Sequence, residues 1–208
     1  YTATLKMAPN MVYFAGFNWA RKTVMGLDNR PPTDAELQQM KILVRQAMEQ
    51  GTFGLASGME YVPAIYASNE EVAELAKVAA QWGGTYFVHM RDEGPNLLGS
   101  IRDSAEVAKQ ANLPVHINHI KTTGVSNHGQ SVQALELIDA IRASGVDMTM
   151  DIYPYAAFML SLARGTAGDA TGNTLECRRT HMALARLNVS LAQVHCSHVS
   201  TVSDPCSE

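Results

Sequence analysis

Apolar positions along this chain fall into two alternating rhythms. In "TDAELQQMKILVRQAMEQG", Leu37, Met40, Val44 and Ala47 recur at three- and four-residue spacing, predicting an amphipathic helix that ends near Gly51. "SNEEVAELAKVAAQWGG" repeats the pattern. It opens with Ser68 and Glu71 at capping-box spacing and closes on a glycine pair. "NLLGSIRDSAEVAKQAN" places Leu98, Ile101, Ala105 and Ala108 on one face, and "SVQALELIDAIRASG" places Val132, Leu135 and Ile138 on another. Short apolar runs stand between these helices: "FGLASG", "TYFVHM", "LPVHINHI" and "VDMTMDI", with "NMVYFAGF" upstream. They predict strands near 53–57, 85–89, 114–119 and 146–151, plus one earlier strand.

Strand and helix alternating at about thirty-residue spacing predict an α/β fold with a parallel sheet. An open doubly wound sheet and a (β/α)8 barrel both fit. The first usually carries a glycine-rich phosphate loop, and neither G-x-G-x-x-G nor G-x-x-x-x-G-K-[ST] occurs here. The alternation stops after "DIYPYAAF". The residues from Met159 onward do not continue the pattern and are not placed in the same fold.

The strand ends carry unusual residues. Ser57, His89, His119 and Asp151 fall at spacings of 32, 30 and 32. In a parallel barrel the C-terminal strand ends open onto one face, where active sites form. His89 and His119 would then lie side by side, and two neutral imidazoles can share one zinc ion. A lone strand-end histidine is more often a hydrogen-bonded structural residue; two at matched positions leave both roles equally open. Asp151 is a candidate ligand, base or loop cap. His116 alternates with His119 and is expected on the opposite side of its strand, and His128 in a solvated loop. Lys121, two residues past His119, can take an anionic group, although a solvated loop lysine is the commoner case.

Composition narrows the field. Of the 208 residues, 46% are hydrophobic and 17% charged, enough apolar material for a sizeable core. The net charge of -4 offers no footprint for nucleic acid or an anionic membrane. No apolar run approaches the roughly 20 residues that cross a bilayer, and no basic-then-apolar leader is visible, so the expectation is a cytoplasmic protein. The three cysteines, Cys177, Cys196 and Cys206, all fall in the tail beside His181, His195 and His198. There is no C-x-x-C, and His195 adjoins Cys196, which is poor spacing for a zinc knuckle.

Taken in order, "VMGLDNRPPT", "GTFGLASGMEYVPAIYAS", "VHMRDEG", "VHINHIKTTG" and "DIYPYAAF" resemble successive motifs of the D-aminoacylases, the N-acyl-D-amino-acid deacylases of the amidohydrolase superfamily. The resemblance spans roughly residues 10–158. It implies an incomplete (β/α)8 TIM-type barrel and zinc-dependent hydrolysis of the acyl amide of an N-acyl-D-amino acid, a small-molecule substrate. It carries metal ligation onto His89 and His119, and substrate contacts onto Lys121 (the carboxylate) and Tyr153. It gives Asp151 no ligand role, leaving it beside the metal shell or structural. The family's early H-x-H strand and Cys ligand have no counterpart before His89, and its proton-shuttling Asp has none after Phe158. The expected reading is a fragment of such an enzyme, poorly active alone, with a partial barrel over residues 1–158 and a divergent tail over 159–208, out of frame or disordered. The alternatives are a non-catalytic truncated remnant, or an amidohydrolase acting on a cyclic amide such as dihydroorotate or a hydantoin.

Overall fold

The computed structural model describes residues 10–153. The expected divergent tail, its cysteines and its histidines lie outside the described residues. Five strands form one sheet: β1 (Ala15–Gly16), β2 (Gly54–Gly58), β3 (Thr85–His89), β4 (Val115–Ile117) and β5 (Met148–Met150). Every neighbouring pair is parallel, and the spatial order is β1-β2-β3-β4-β5, the order of the chain. A doubly wound sheet reverses direction at a switch point, and this one does not.

The helices are α1 (Phe17–Met25), α2 (Asp34–Glu49), α3 (Asn69–Ala80), α4 (Leu97–Ala111) and α5 (Gln130–Ala143). Each packs on the next along the chain, so they form a single layer on one side of the sheet. Sequential parallel strands under one helical layer are the wall of a β/α barrel. The core lies between the layers. Leu55, Tyr86, Val88, Val115, Ile117 and Met148 point from the strands toward the helices and are buried there. They meet Met40 and Val44 of α2, Val72 and Leu75 of α3, Ile101 of α4 and Ile138 of α5. Each such side chain contributes about 1.5–3 kcal/mol by leaving water.

Alternate strand residues therefore line the opposite, open face of the sheet. β3 shows the pattern directly: Tyr86 and Val88 are buried, while Thr85, Phe87 and His89 are half-buried. On the open face, Phe87 stacks between Phe14 (ring centroids 5.1 Å apart) and His116 (4.6 Å).

Several sequence expectations shift. "NMVYFAGF" yields only a two-residue strand, because helix α1 begins at Phe17. Asn18 explains the early turn. Its side-chain amide donates to the Gly58 carbonyl (3.0 Å) and accepts from the Gly58 N–H (2.9 Å), standing in for a strand residue at the end of β2. On α5 the buried stripe is Ser131, Ala134, Ile138 and Ile141, so Val132 is exposed rather than inward. The capping box also moves. Ser68 accepts from the Glu71 N–H (3.2 Å), but the Glu71 carboxylate turns inward to the fully buried Arg21 (2.9 Å). A reciprocal box forms instead at Thr33 and Glu36, before α2. There Arg30 grips Glu36 through both terminal guanidinium nitrogens (2.8 and 2.6 Å) and, with the Thr33 N–H, holds its carboxyl down to about 2.

Candidate metal and substrate site

The open face ends in a cluster at the C-terminal strand ends. β3 pairs with β2 so that His89 lies beside Gly58, and with β4 so that Val88 lies beside Ile117. Extending the ladder by one residue puts His89 level with Asn118, whose N–H donates to the Val88 carbonyl (2.9 Å), and then with Asp151. The alignment expected from sequence was thus off by one at two strands. Ser57 sits one layer lower and faces the helices, sharing a 2.7 Å hydrogen bond with the Tyr86 hydroxyl. His119 lies beyond β4, in a turn, with φ +40°. A non-glycine residue in the left-handed region needs outside support. Asp151 supplies it, because its Oδ1 accepts the His119 N–H.

The left-handed turn swings the His119 ring back over β3. Its Nε2 comes 3.0 Å from His89 Nδ1, with the rings nearly perpendicular at 75°. Two nitrogens on one zinc, each at roughly 2.0–2.1 Å, stand about 3.4 Å apart along a tetrahedral edge. The observed pair lies close to that spacing.

The far nitrogens of both rings face acids. His89 Nε2 is 2.9 Å from Glu60 Oε2, and His119 Nδ1 is 3.4 Å from Glu93 Oε1. A histidine that binds metal through one nitrogen commonly gives the other to a carboxylate, which fixes tautomer and ring orientation. Glu60, His89 and Glu93 also bring one donor atom each within 4.8 Å of one another. The two acids lie beside the nitrogens that point away from the shared gap. The donor set fits a zinc ion held by His89 Nδ1 and His119 Nε2.

Lys121 is not the solvated loop lysine that sequence favoured: it is 4% exposed. Its ammonium donates to Glu93 Oε2, to the His119 carbonyl (2.9 Å) and to His119 Nδ1 (2.8 Å). Burial pulls its pKa down, and Glu93 pulls it back up. Tyr153 closes the group. Its ring lies 5.9 Å from that of His119, and the Lys121 ammonium stands 5.4 Å from its centre. Burial, then Glu93, pushes the Tyr153 hydroxyl up to about 12. The four residues singled out from the sequence thus come together.

His116 departs from expectation. It lies on the open face, the same side as the His119 ring, one layer below His89, bonded to Thr149 Oγ1 (2.8 Å) and Asp151 Oδ2 (3.0 Å). His128 is exposed, as expected.

The run "HMRDEG" resolves into separate tasks. Met90 is buried. Arg91 donates to the Ile65 and Ala67 carbonyls (2.8 and 2.9 Å), tying down the preceding loop. Asp92 Oδ1 accepts from Gly94 N–H (2.6 Å), shaping the turn into α4. Glu93 enters the site, and its carbonyl accepts from Thr123 N–H (2.7 Å). Sequence reasoning gave no role to Glu60, Tyr61 or Glu93. The Tyr61 ring centre is 4.8 Å from that of His89. The available signal was an acid within a few residues of a strand end in two neighbouring units.

No protein-family model matches the chain. It is 34% identical over 160 residues to a D-aminoacylase of Alcaligenes xylosoxydans xylosoxydans, covering 76% of this chain and 33% of that protein. It is 29% identical over 167 residues to an N-acyl-D-aspartate deacylase of the same organism, covering 79% and 33%. Among solved structures, a D-aminoacylase matches with a TM-score of 0.64 and 36% identity over 67% of this chain and 29% of that one. An N-acyl-D-glutamate deacylase from Bordetella bronchiseptica, complexed with zinc and a phosphonate inhibitor, matches with a TM-score of 0.67 and 30% identity, over 71% and 31%. In sequence and in fold, this chain is a relative of the D-aminoacylases of the amidohydrolase superfamily. It spans about a third of the length of the relatives it matches. No helix among the described residues is long and apolar enough to cross a membrane.

Proposed function

We propose that this chain forms part of a zinc-dependent amidohydrolase that cleaves the linear acyl amide of N-acyl-D-amino acids. The observation that carries the reading is the 3.0 Å approach of His89 Nδ1 and His119 Nε2, with Lys121 and Tyr153 gathered against the same ring. The relatives named for deacylating D-amino acids support the substrate class.

His89 and His119 hold the metal, which when bound supplies Lewis acidity and lowers the pKa of a coordinated water. Glu60 keeps the His89 ring turned so that Nδ1 faces the gap. Lys121 binds the substrate carboxylate as a buried point charge, and Tyr153 flanks it. A charge fixed beside the metal histidines orients the scissile amide, which favours an N-acyl amino acid over a plain amide.

The test is calorimetric titration of the 208-residue chain with Zn²⁺, then with N-acetyl-D-methionine or N-acetyl-D-glutamate. Zinc binding is expected to fall at least tenfold in His89→Ala and in His119→Ala. Amino-acid binding should need zinc, fall in Lys121→Met and be weaker for the L-enantiomers. Binding of Zn²⁺ that neither histidine variant alters would remove the basis of the proposal.

A further inference from the structure

Glu93 is buried between the metal histidine and the anion-binding lysine, its side chain 4% exposed. We infer that Glu93 is a positioning residue that sets the His119 ring for metal binding through one carboxylate oxygen while the other holds the Lys121 ammonium beside it. This rests on the metal reading given above.

The argument is one of donors and acceptors. An ammonium has three N–H donors. Lys121 donates to Glu93 Oε2, the His119 carbonyl and His119 Nδ1 among its partners. A histidine that gives Nε2 to a metal carries its ring proton on Nδ1. His119 Nδ1 then donates, and it can no longer accept from Lys121. The second oxygen of Glu93, Oε1, stands 3.4 Å from Nδ1 and is buried without a hydrogen-bond partner. It is placed to accept the hydrogen bond from Nδ1–H, while Oε2 keeps hold of Lys121. A single acid serves both groups, and its burial keeps water from replacing it at either.

A merely structural role predicts something different. Removing Glu93 alone leaves Lys121 buried without its counter-charge, which is strongly destabilising whatever the site does. Removing both charges, in Glu93→Gln/Lys121→Met, relieves that penalty.

The experiment compares Zn²⁺ affinity in the parent chain, Glu93→Gln and the double variant, with circular dichroism to report folding. The double variant is expected to fold and to bind Zn²⁺ about 10–100-fold more weakly, as for the loss of a carboxylate that orients a metal histidine. In parallel, ¹⁵N–¹H imidazole spectra of the zinc-loaded parent should show His119 protonated at Nδ1 and slow to exchange. Parent-like zinc affinity in the double variant, or a zinc-loaded His119 with no protected Nδ1 proton, would overturn the role of Glu93 and leave the metal site standing. A parent chain that binds no zinc, or binds it equally well as His119→Ala, would overturn the metal reading and this inference with it.

Discussion

His89 and His119 meet at 3.0 Å although their residues are out of register. His89 ends its strand, whereas His119 sits in a turn beyond β4, one residue past the position level with it. The left-handed backbone at His119 closes the gap. The pairing is therefore a property of a turn as much as of a sheet, and several measurable consequences depend on that turn.

Zinc should stabilise the fold through this pair. At a free metal concentration 100 times its Kd, a ligand that binds only the native state adds about 2.7 kcal/mol. For a domain of this size that raises Tm by roughly 5–10 °C. Thermal melts followed by circular dichroism, with zinc and with a chelator, check this. The shift should vanish in His119→Ala. An equal shift in that variant would place the metal elsewhere.

Asp151 should matter for stability although its side chain is 47% exposed. One oxygen accepts the His119 N–H and the other meets His116 Nε2. Asp151→Ala removes both, an expected loss of about 1–3 kcal/mol by urea unfolding. The His119 amide should also exchange faster with solvent. An unchanged exchange rate would mean that something else holds the turn.

The sheet order and the helix layer could be read from hydrophobic rhythm because a parallel barrel wall repeats one unit, and each unit buries one stripe. The site was legible in part. His89, His119, Lys121 and Tyr153 stood out by position and by family resemblance. The exact register did not, because a residue added in a turn leaves strand rhythm intact. His116 was misplaced for the same reason: with His119 off the strand, the odd–even argument from one to the other no longer holds. Helix α1 was missed because its inward face carries Arg21, a charge that breaks the apolar pattern and is compensated only in three dimensions, by Glu71 and by the carbonyls of Asp28 and Arg30.

That buried pair gives a pH prediction. Burial pushes the Glu71 carboxyl up from its ordinary value, and Arg21 opposes the shift. A raised folded pKa means the native state holds its proton more tightly than the unfolded chain. Stability from this group is therefore full at low pH and falls as pH rises from about 4.5 through the raised value. Arg21→Met removes the opposing charge and enlarges the effect. The variant should lose about 3–5 kcal/mol near pH 7 and distinctly less near pH 4.5. Denaturant unfolding at both values tests it. An equal loss at the two would show that Glu71 is not the group responsible.

Two glycines separate backbone strain from collision. Gly26 follows α1 with φ +69°, and a Cβ there would meet nothing within 4 Å. Gly26→Ala should therefore cost only the left-handed penalty, about 1–2 kcal/mol. Gly54 opens β2 with φ +153°, and a Cβ there would fall 2.0 Å from the Thr85 carbonyl oxygen and 2.6 Å from its nitrogen. Those are backbone atoms of β3, in ladder register with Gly54, and the Thr85 N–H is bonded to the Phe53 carbonyl at 3.2 Å. They cannot retreat without opening the β2–β3 pairing that carries His89. Gly54→Ala should cost more than about 4 kcal/mol, in the range that marks a named structural fault. It should also weaken zinc binding in whatever fraction remains folded, whereas Gly26→Ala should leave zinc affinity unchanged. Urea unfolding and zinc calorimetry on the two variants decide it; equal costs would show that β2 and β3 are free to separate.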